Sequence, residues 1–320
     1  MPRHITIIFP GQGSQSIGML DNFSSSYLDS YRDIILDSLG FDLIDIISNG
    51  SEEQLNKTSI TQPAILLSSF LQYEKFIKKL KINPNIMCGH SLGEYSALVA
   101  SQSLNLSDAL HLVHKRGLLM EQCQQGSMCA VLNTDLDVIS GVCERVENET
   151  NNIVSPANLN SPKQIVISGT SDGVELVIKY LKDAGHKKCI KLNVSVASHS
   201  NVMIDAIDEF KKELDMINMS MPNHKIIHNV DNEPSNDIDE LKNKLLNQLI
   251  KPVRWSNTME YINKHNGIII ECGPNNVLSG LARSNGSGEV YSTFSENFID
   301  EIMSVIWVKE MYLFQEHQEE

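Results

Sequence analysis

Basic residues are scarce in this 320-residue chain: 26 Lys plus Arg stand against 40 Asp plus Glu, a formal charge of −14. A surface of that sign repels phosphate backbones and anionic bilayers, so nucleic-acid and membrane-surface partners are not expected. Long apolar runs are lacking too. The opening run Ile5-Thr6-Ile7-Ile8-Phe9 stops at Pro10, well short of a signal-peptide core. No stretch approaches the ~18 apolar residues of a membrane-spanning helix. A cytoplasmic protein is expected. No CxxC pair occurs among the six cysteines, Cys88, Cys123, Cys129, Cys143, Cys189 and Cys272. Their scatter through apolar segments suits reduced, buried thiols and offers neither a disulfide framework nor a thiolate metal site. What is present is ordinary: 41% hydrophobic and 21% charged residues support a core of normal size in one or two domains and exclude wholesale disorder.

The β-rich run His4 to Phe9 leads into Pro10-Gly11-Gln12-Gly13-Ser14-Gln15, punctuation that turns a strand sharply into the next element. Helical patterns follow at Leu28 to Leu39 and at Pro63 to Leu80, with proline in the first turn of the second. Ile86-Met87-Cys88 reads as a short buried strand, Glu94 to Ala100 as a helix, and Ser107 as the cap of another helix running to about Cys123. Strands alternating with helices imply an α/β fold built on a parallel sheet. From Gly126 the rhythm becomes βαββαβ. The strands are Ser127 to Leu132, Ile153 to Asn158, Gln164 to Ser168 and Lys188 to Val194; the helices are Leu136 to Glu147 and Val174 to Ala184. Asp172 with Glu175 has capping-box spacing, and Gly185 is a stop. That order is ferredoxin-like. The expected organisation is a discontinuous large α/β unit, 1–125 and 196–314, with a ferredoxin-like small unit inserted at 126–195 and a polar tail at 315–320.

Chemistry concentrates at Gly89-His90-Ser91-Leu92-Gly93, a G-x-S-x-G turn between a strand and a helix. Such a turn exposes the serine hydroxyl and sets the Leu92 amide at a helix N-terminus, where it can stabilise an oxyanion. The bare pattern also fits an inert serine in a glycine-flanked turn. Of ten histidines, His199 is best placed as a base, at the junction between a strand ending near Val196 and the amphipathic helix bearing Met203, Ile207, Phe210 and Leu214. A helix N-terminus there keeps an imidazole neutral. His317 falls in the polar tail, which disfavours a late catalytic histidine. Arg116 shares a helical stripe with Ala109, Val113 and Met120, so its charge projects from an apolar face. It needs either an internal carboxylate or a bound one. Gly11-Gln12-Gly13 with Gly18 is not a dinucleotide fingerprint, and no Lys-Ser or Lys-Thr follows as a phosphate loop requires. The loop offers backbone amides instead.

These segments, with Arg116-Gly117, Ser155-Pro156-Ala157-Asn158-Leu159-Asn160-Ser161-Pro162, Ser195-Val196-Ala197-Ser198-His199 and Gln248-Leu249-Ile250-Lys251-Pro252-Val253-Arg254-Trp255, stand in an order that resembles the bacterial malonyl-CoA:acyl carrier protein transacylases from about residue 5 to 295. The resemblance implies a hydrolase-like α/β domain with a ferredoxin-like insertion. It implies Ser91 as the acylated nucleophile and His199 as its base, oriented by a main-chain carbonyl at Gln248. It implies an oxyanion hole from the Gln12 and Leu92 amides, and Arg116 on the malonyl carboxylate. Malonyl-CoA and acyl carrier protein would be the partners, in ping-pong transfer supplying fatty-acid synthesis, with no cofactor and no metal. Two departures stand out: Gly273-Pro274-Asn275 replaces the usual Gly-Pro-Gly, where Asn tolerates the left-handed conformation, and Ser127-Met128-Cys129 replaces Ala-Met-Ala. A serine hydrolase or thioesterase would not need Arg116 on an apolar face, and a non-catalytic carrier-binding module would not need Ser91 with His199. Because the chain is acidic, an acidic carrier requires a local basic patch; Lys187, Lys188 and Lys191 are the candidates.

Overall fold

The computed structural model describes residues 3–306, so the 315–320 tail, His317 and the end of the 196–314 segment lie outside the described residues. The described strands are β1 (Ile5–Phe9), β2 (Ile86–Gly89), β3 (Gly126–Leu132), β4 (Val154–Ser161), β5 (Gln164–Thr170), β6 (Cys189–Lys191), β7 (Lys225–Ile227), β8 (Ile268–Glu271) and β9 (Val290–Ser292). Five of them form a parallel sheet in the order β7-β2-β1-β8-β9. Its three inner strands, β2, β1 and β8, are buried along their whole length and largely apolar because both faces are covered. Along β1, Ile7 and Phe9 enter one core with the helices Thr58–Gln72 and Leu106–Gln122, while Ile8 enters a second core with Trp255 and Met259.

The other four strands form an antiparallel sheet ordered β4-β5-β3-β6. Numbered within the unit, that is 2-3-1-4, the ferredoxin-like arrangement expected from the βαββαβ reading. Helices Leu136–Glu149 and Ser171–Asp183 share a buried cluster with this sheet. A smaller cluster holds Met128, Ala130, Ala157 and Val166. Val253 bridges to β4, donating from its amide to the Ala157 carbonyl at 2.8 Å and accepting from the Leu159 amide at 2.9 Å. The small sheet is thereby tied to the segment that follows Gln248.

Several boundaries differ from the sequence reading, each for a local reason. The helix expected from Pro63 begins at Thr58, with Pro63 inside it. Proline cannot donate to the Ser59 carbonyl one turn back, and His114 Nδ1 fills that acceptor at 2.7 Å. The helix then runs on into a π-helical turn, Tyr73–Lys78. Asn105, not Ser107, caps Leu106–Gln122, accepting from the Asp108 amide at 2.8 Å; Ser107 bonds Ser38 instead. The cap of Ser171–Asp183 is Thr170, and Glu175 pairs with Lys191 in place of closing a capping box. Strand β6 is shorter than Lys188 to Val194 because the Val194 amide folds back onto the Leu192 carbonyl at 2.9 Å. At Gly273-Pro274-Asn275 the turn is formed with Asn275 left-handed at φ 64°, as its side chain permits.

The glycines of the 89–93 turn are steric necessities. A Cβ on Gly89 would stand 1.9 Å from the Gly93 carbonyl carbon, and one on Gly93 would stand 2.0 Å from the Phe9 carbonyl oxygen. Replacing Gly89→Ala is expected to lower unfolding free energy by more than about 3 kcal/mol, beyond ordinary overpacking, since backbone and not a flexible side chain must move. Urea denaturation checks this; a loss under about 1 kcal/mol would contradict the packing described.

Candidate active site

Strand β2 ends at Gly89, and the helix Gly93–Ala100 begins four residues later, so Ser91 sits at the apex of a tight turn with φ 52°. A left-handed non-glycine residue costs on the order of 1–3 kcal/mol and persists only where neighbours fix it. Asn229 does so. Its Oδ1 accepts the Ser91 amide at 2.7 Å, and its Nδ2 donates to the Gly89 carbonyl at 2.7 Å. His199 is left-handed as well, φ 60°, and its amide donates to the Leu249 carbonyl at 3.0 Å.

The two residues meet. Ser91 Oγ lies 2.8 Å from His199 Nε2, and His199 Nδ1 lies 2.6 Å from the Gln248 carbonyl oxygen. A carbonyl only accepts, so Nδ1 carries the proton, Nε2 is free to accept, and the serine hydroxyl donates. Burial, helped by the Arg116 charge and opposed by the Gln248 carbonyl, pushes His199 down to about 3, so the imidazole is neutral at pH 7. The short helix at Asn201–Ala206 lies just after it, as the sequence suggested, but burial is the larger cause of neutrality.

Gln12 and Leu92 belong to neighbouring loops, one following β1 and the other following its partner β2. Gly11 packs so close to His90 that a Cβ there would stand 2.4 Å from the His90 carbonyl oxygen. Neither the Gln12 nor the Leu92 amide has a backbone acceptor among the described residues. Both remain available for an oxyanion.

Arg116 is 1% exposed and forms no ion pair among the described residues. Its Nη1 donates to Gln62 Oε1 at 2.9 Å and its Nη2 to Gln248 Oε1 at 3.1 Å, leaving Nε unpartnered. The guanidinium carbon lies 5.5 Å from the centre of the Tyr95 ring. Of the two partners left open by the sequence, an internal carboxylate is not the one found.

A cavity of about 880 Å³ opens beside Ser91 and His199, lined also by Gln12, Met120, Met128, Leu192 and Val194. It therefore lies between the two sheets. Lys187, Lys188 and Lys191 are exposed but do not line it, and Lys191 is committed to Glu175. Lys57 does line it. Sequence reasoning missed Asn229, Gln62 and the buried Glu94, each of which touches a residue it did find. His90 donates from Nε2 to Asn160 Oδ1 at 2.8 Å and is kept neutral by burial, a contact foreshadowed only by the presence of both residues in family-like segments.

A serine hydroxyl donating to a neutral, carbonyl-oriented imidazole, on a strand–turn–helix elbow with two free amides nearby, is the set of groups an α/β protein with a serine nucleophile requires. The model of the acyl transferase domain matches residues 6–288. A malonyl CoA-acyl carrier protein transacylase of Haemophilus influenzae is 37% identical over 289 residues, 88% of this chain and 92% of the relative. The crystal structure of the corresponding enzyme from Xanthomonas oryzae superposes with a TM-score of 0.90 at 33% identity, covering 96% of this chain and 99% of that one. A malonyl-transacylase solved in complex with a type II PKS acyl-carrier protein superposes at 0.87, with 34% identity over 94% and 98% of the two chains. The chain belongs to the acyl transferase family, among the malonyl CoA-acyl carrier protein transacylases.

His199 gives a pH signature. Below its ordinary value of 6.5 the unfolded chain takes up a proton that the folded chain refuses until about pH 3. The residue therefore withdraws stability as pH falls across that window, by about 1.4 kcal/mol per pH unit. Urea unfolding of the parent and of His199→Gln at pH 7, 6 and 5 should show the variant gaining on the parent by about 0.7 kcal/mol over the first step, where the unfolded imidazole is only part-titrated, and by about 1.2 kcal/mol over the second. A difference that stays constant with pH would contradict a neutral His199.

Proposed function

We propose that the chain moves a malonyl group from CoA to the phosphopantetheine thiol of an acyl carrier protein through an ester on Ser91. The supporting observation is the buried, carboxylate-free Arg116 joined to the dyad by one residue, Gln248: its side chain accepts from Arg116 and its carbonyl from His199. Ser91 passes its proton to His199 Nε2 and attacks the thioester carbonyl, whose oxygen the Gln12 and Leu92 amides receive. The adduct collapses, the C–S bond breaks, and imidazolium protonates the departing CoA sulfur. The carrier thiol then gives its proton to His199 and attacks the ester; the C–O bond to Ser91 breaks and the imidazolium returns the proton to Ser91 Oγ. Arg116 holds the free carboxylate throughout. No cofactor enters these steps. The inserted unit is proposed to span 126–195, so the site would lie where it meets the large one. A carrier complex among the solved relatives favours transfer to a carrier thiol over hydrolysis.

Intact mass and peptide mapping after incubation with malonyl-CoA test the nucleophile. The malonyl group is expected on Ser91 and absent from a folded Ser91→Ala variant, and His199→Ala should slow acylation by about 10²–10⁴. Labelling of another serine would overturn the assignment. Arg116→Ala should cost malonyl-CoA about 3–5 kcal/mol of transition-state stabilisation and acetyl-CoA little. Equal losses for both, with a lowered melting temperature, would make the arginine structural. For the carrier, Lys187→Glu with Lys188→Glu should raise its apparent KM and flatten its salt dependence while leaving Ser91 acylation unchanged. Identical low-salt carrier kinetics in variant and parent would move the docking surface elsewhere.

A further inference from the structure

Glu94 is a buried carboxylate beside the dyad that the chemistry above leaves unused. It sits in the first turn of Gly93–Ala100, 1% exposed. Its Oε1 accepts from His228 Nδ1 at 2.6 Å; its Oε2 accepts from the Asn229 amide at 3.0 Å and from Gln248 Nε2 at 2.8 Å. A carboxylate can only accept here, so the Gln248 side-chain nitrogen must face it. The oxygen of the same amide is thereby turned toward Arg116 Nη2. A buried anion and a buried cation thus occupy the two ends of one amide, each aligned with its dipole. In a low-dielectric interior their attraction persists across that spacing.

We propose that Glu94 is the counter-charge of Arg116, acting through the Gln248 amide as a positioning residue that sets how strongly the arginine holds an acyl carboxylate. The proposal rests on the reading of Arg116 as the malonyl-binding group. With Glu94 in place, part of the guanidinium field is already balanced before substrate arrives. The incoming carboxylate is held firmly enough to be selected and loosely enough to leave on the carrier.

The test removes the charge and keeps the shape. In Glu94→Gln the new amide oxygen can accept from Asn229 and Gln248, and its nitrogen can donate to His228 Nδ1 in the other tautomer, whose Nε2–H the Ser235 hydroxyl, 2.9 Å away, can accept. Every hydrogen bond is then retained. Calorimetric binding is measured in a Ser91→Ala background, where no turnover occurs. Malonyl-CoA is expected to bind three- to tenfold tighter with Glu94→Gln, acetyl-CoA to change less than twofold, and the gain to vanish when Arg116→Ala is added. In the Ser91 enzyme the same substitution should lower the KM for malonyl-CoA without raising kcat. Glu94→Met serves as a second neutral variant, read on the folded fraction given by the binding stoichiometry. Unchanged or weaker malonyl-CoA binding, or a gain shared by acetyl-CoA, overturns the proposal. If the parent itself shows no preference for malonyl-CoA over acetyl-CoA, the reading of Arg116 fails first and takes this proposal with it. A parent that has the preference while neither neutral variant strengthens it refutes the role of Glu94 alone.

Discussion

Arg116 donates to two neutral amide oxygens, in a place where burial would ordinarily demand a carboxylate. An ion removed from water costs several kcal/mol even after relaxation, so its surroundings must be built to hold it. Gly117 is part of that construction. A Cβ there would stand 2.5 Å from the Ser59 Cα, so only glycine lets Leu106–Gln122 pack this closely on Thr58–Gln72, the helix that brings Gln62 to the guanidinium. Gln248 arrives from the far side of the molecule in sequence, 132 residues away. The cation is thus a point where three distant segments must agree, and the same agreement places Gln248 against His199.

Backbone strain in the dyad is carried by these neighbours. Ser91 and His199 both adopt positive φ, a conformation uncommon for any residue but glycine. Each is held through its own amide, by Asn229 Oδ1 in one case and the Leu249 carbonyl in the other. Gln248 Nε2, one of whose two hydrogens serves Glu94, has the Ser91 carbonyl at 3.1 Å and Asn229 Oδ1 at 3.2 Å to share the other. Hydroxyl and imidazole are consequently set by a network of side chains from distant segments.

Much of this was legible in the sequence, unevenly. Gly89-His90-Ser91-Leu92-Gly93 announces a turn because its glycines are required by contacts one strand away, and short-range pattern captures that. The parallel and antiparallel sheets were likewise readable from the change of rhythm at Gly126. Boundaries failed where a side chain from elsewhere satisfied the backbone: Pro63 looks like a helix start only until His114 supplies the donor that Ser59 needs. Glu94, Asn229 and Gln62 were not legible as site residues because their importance lies in partners up to 154 residues distant, and no local spacing encodes that. Arg116 was legible as an anomaly, yet which partner resolved it was not; the answer is two amides that read as ordinary polar residues.

The use of a main-chain carbonyl where a carboxylate might stand has a consequence for the proposed chemistry. A carboxylate directly on Nδ1 would make the imidazole more basic and would also repel an acyl group that carries its own negative charge. The Gln248 carbonyl orients the ring without either effect. His199 is then a weak base, held down by burial and, next in size, by the Arg116 charge. When a carboxylate settles on Arg116, that second contribution shrinks, and the imidazole becomes better able to take the serine proton. An acyl group lacking the carboxylate brings no such relief, and the base stays suppressed. On the proposed reading of Arg116, selection for a charged acyl group acts on bond formation as well as on binding, because the residue proposed to recognise the charge is also one that restrains the base.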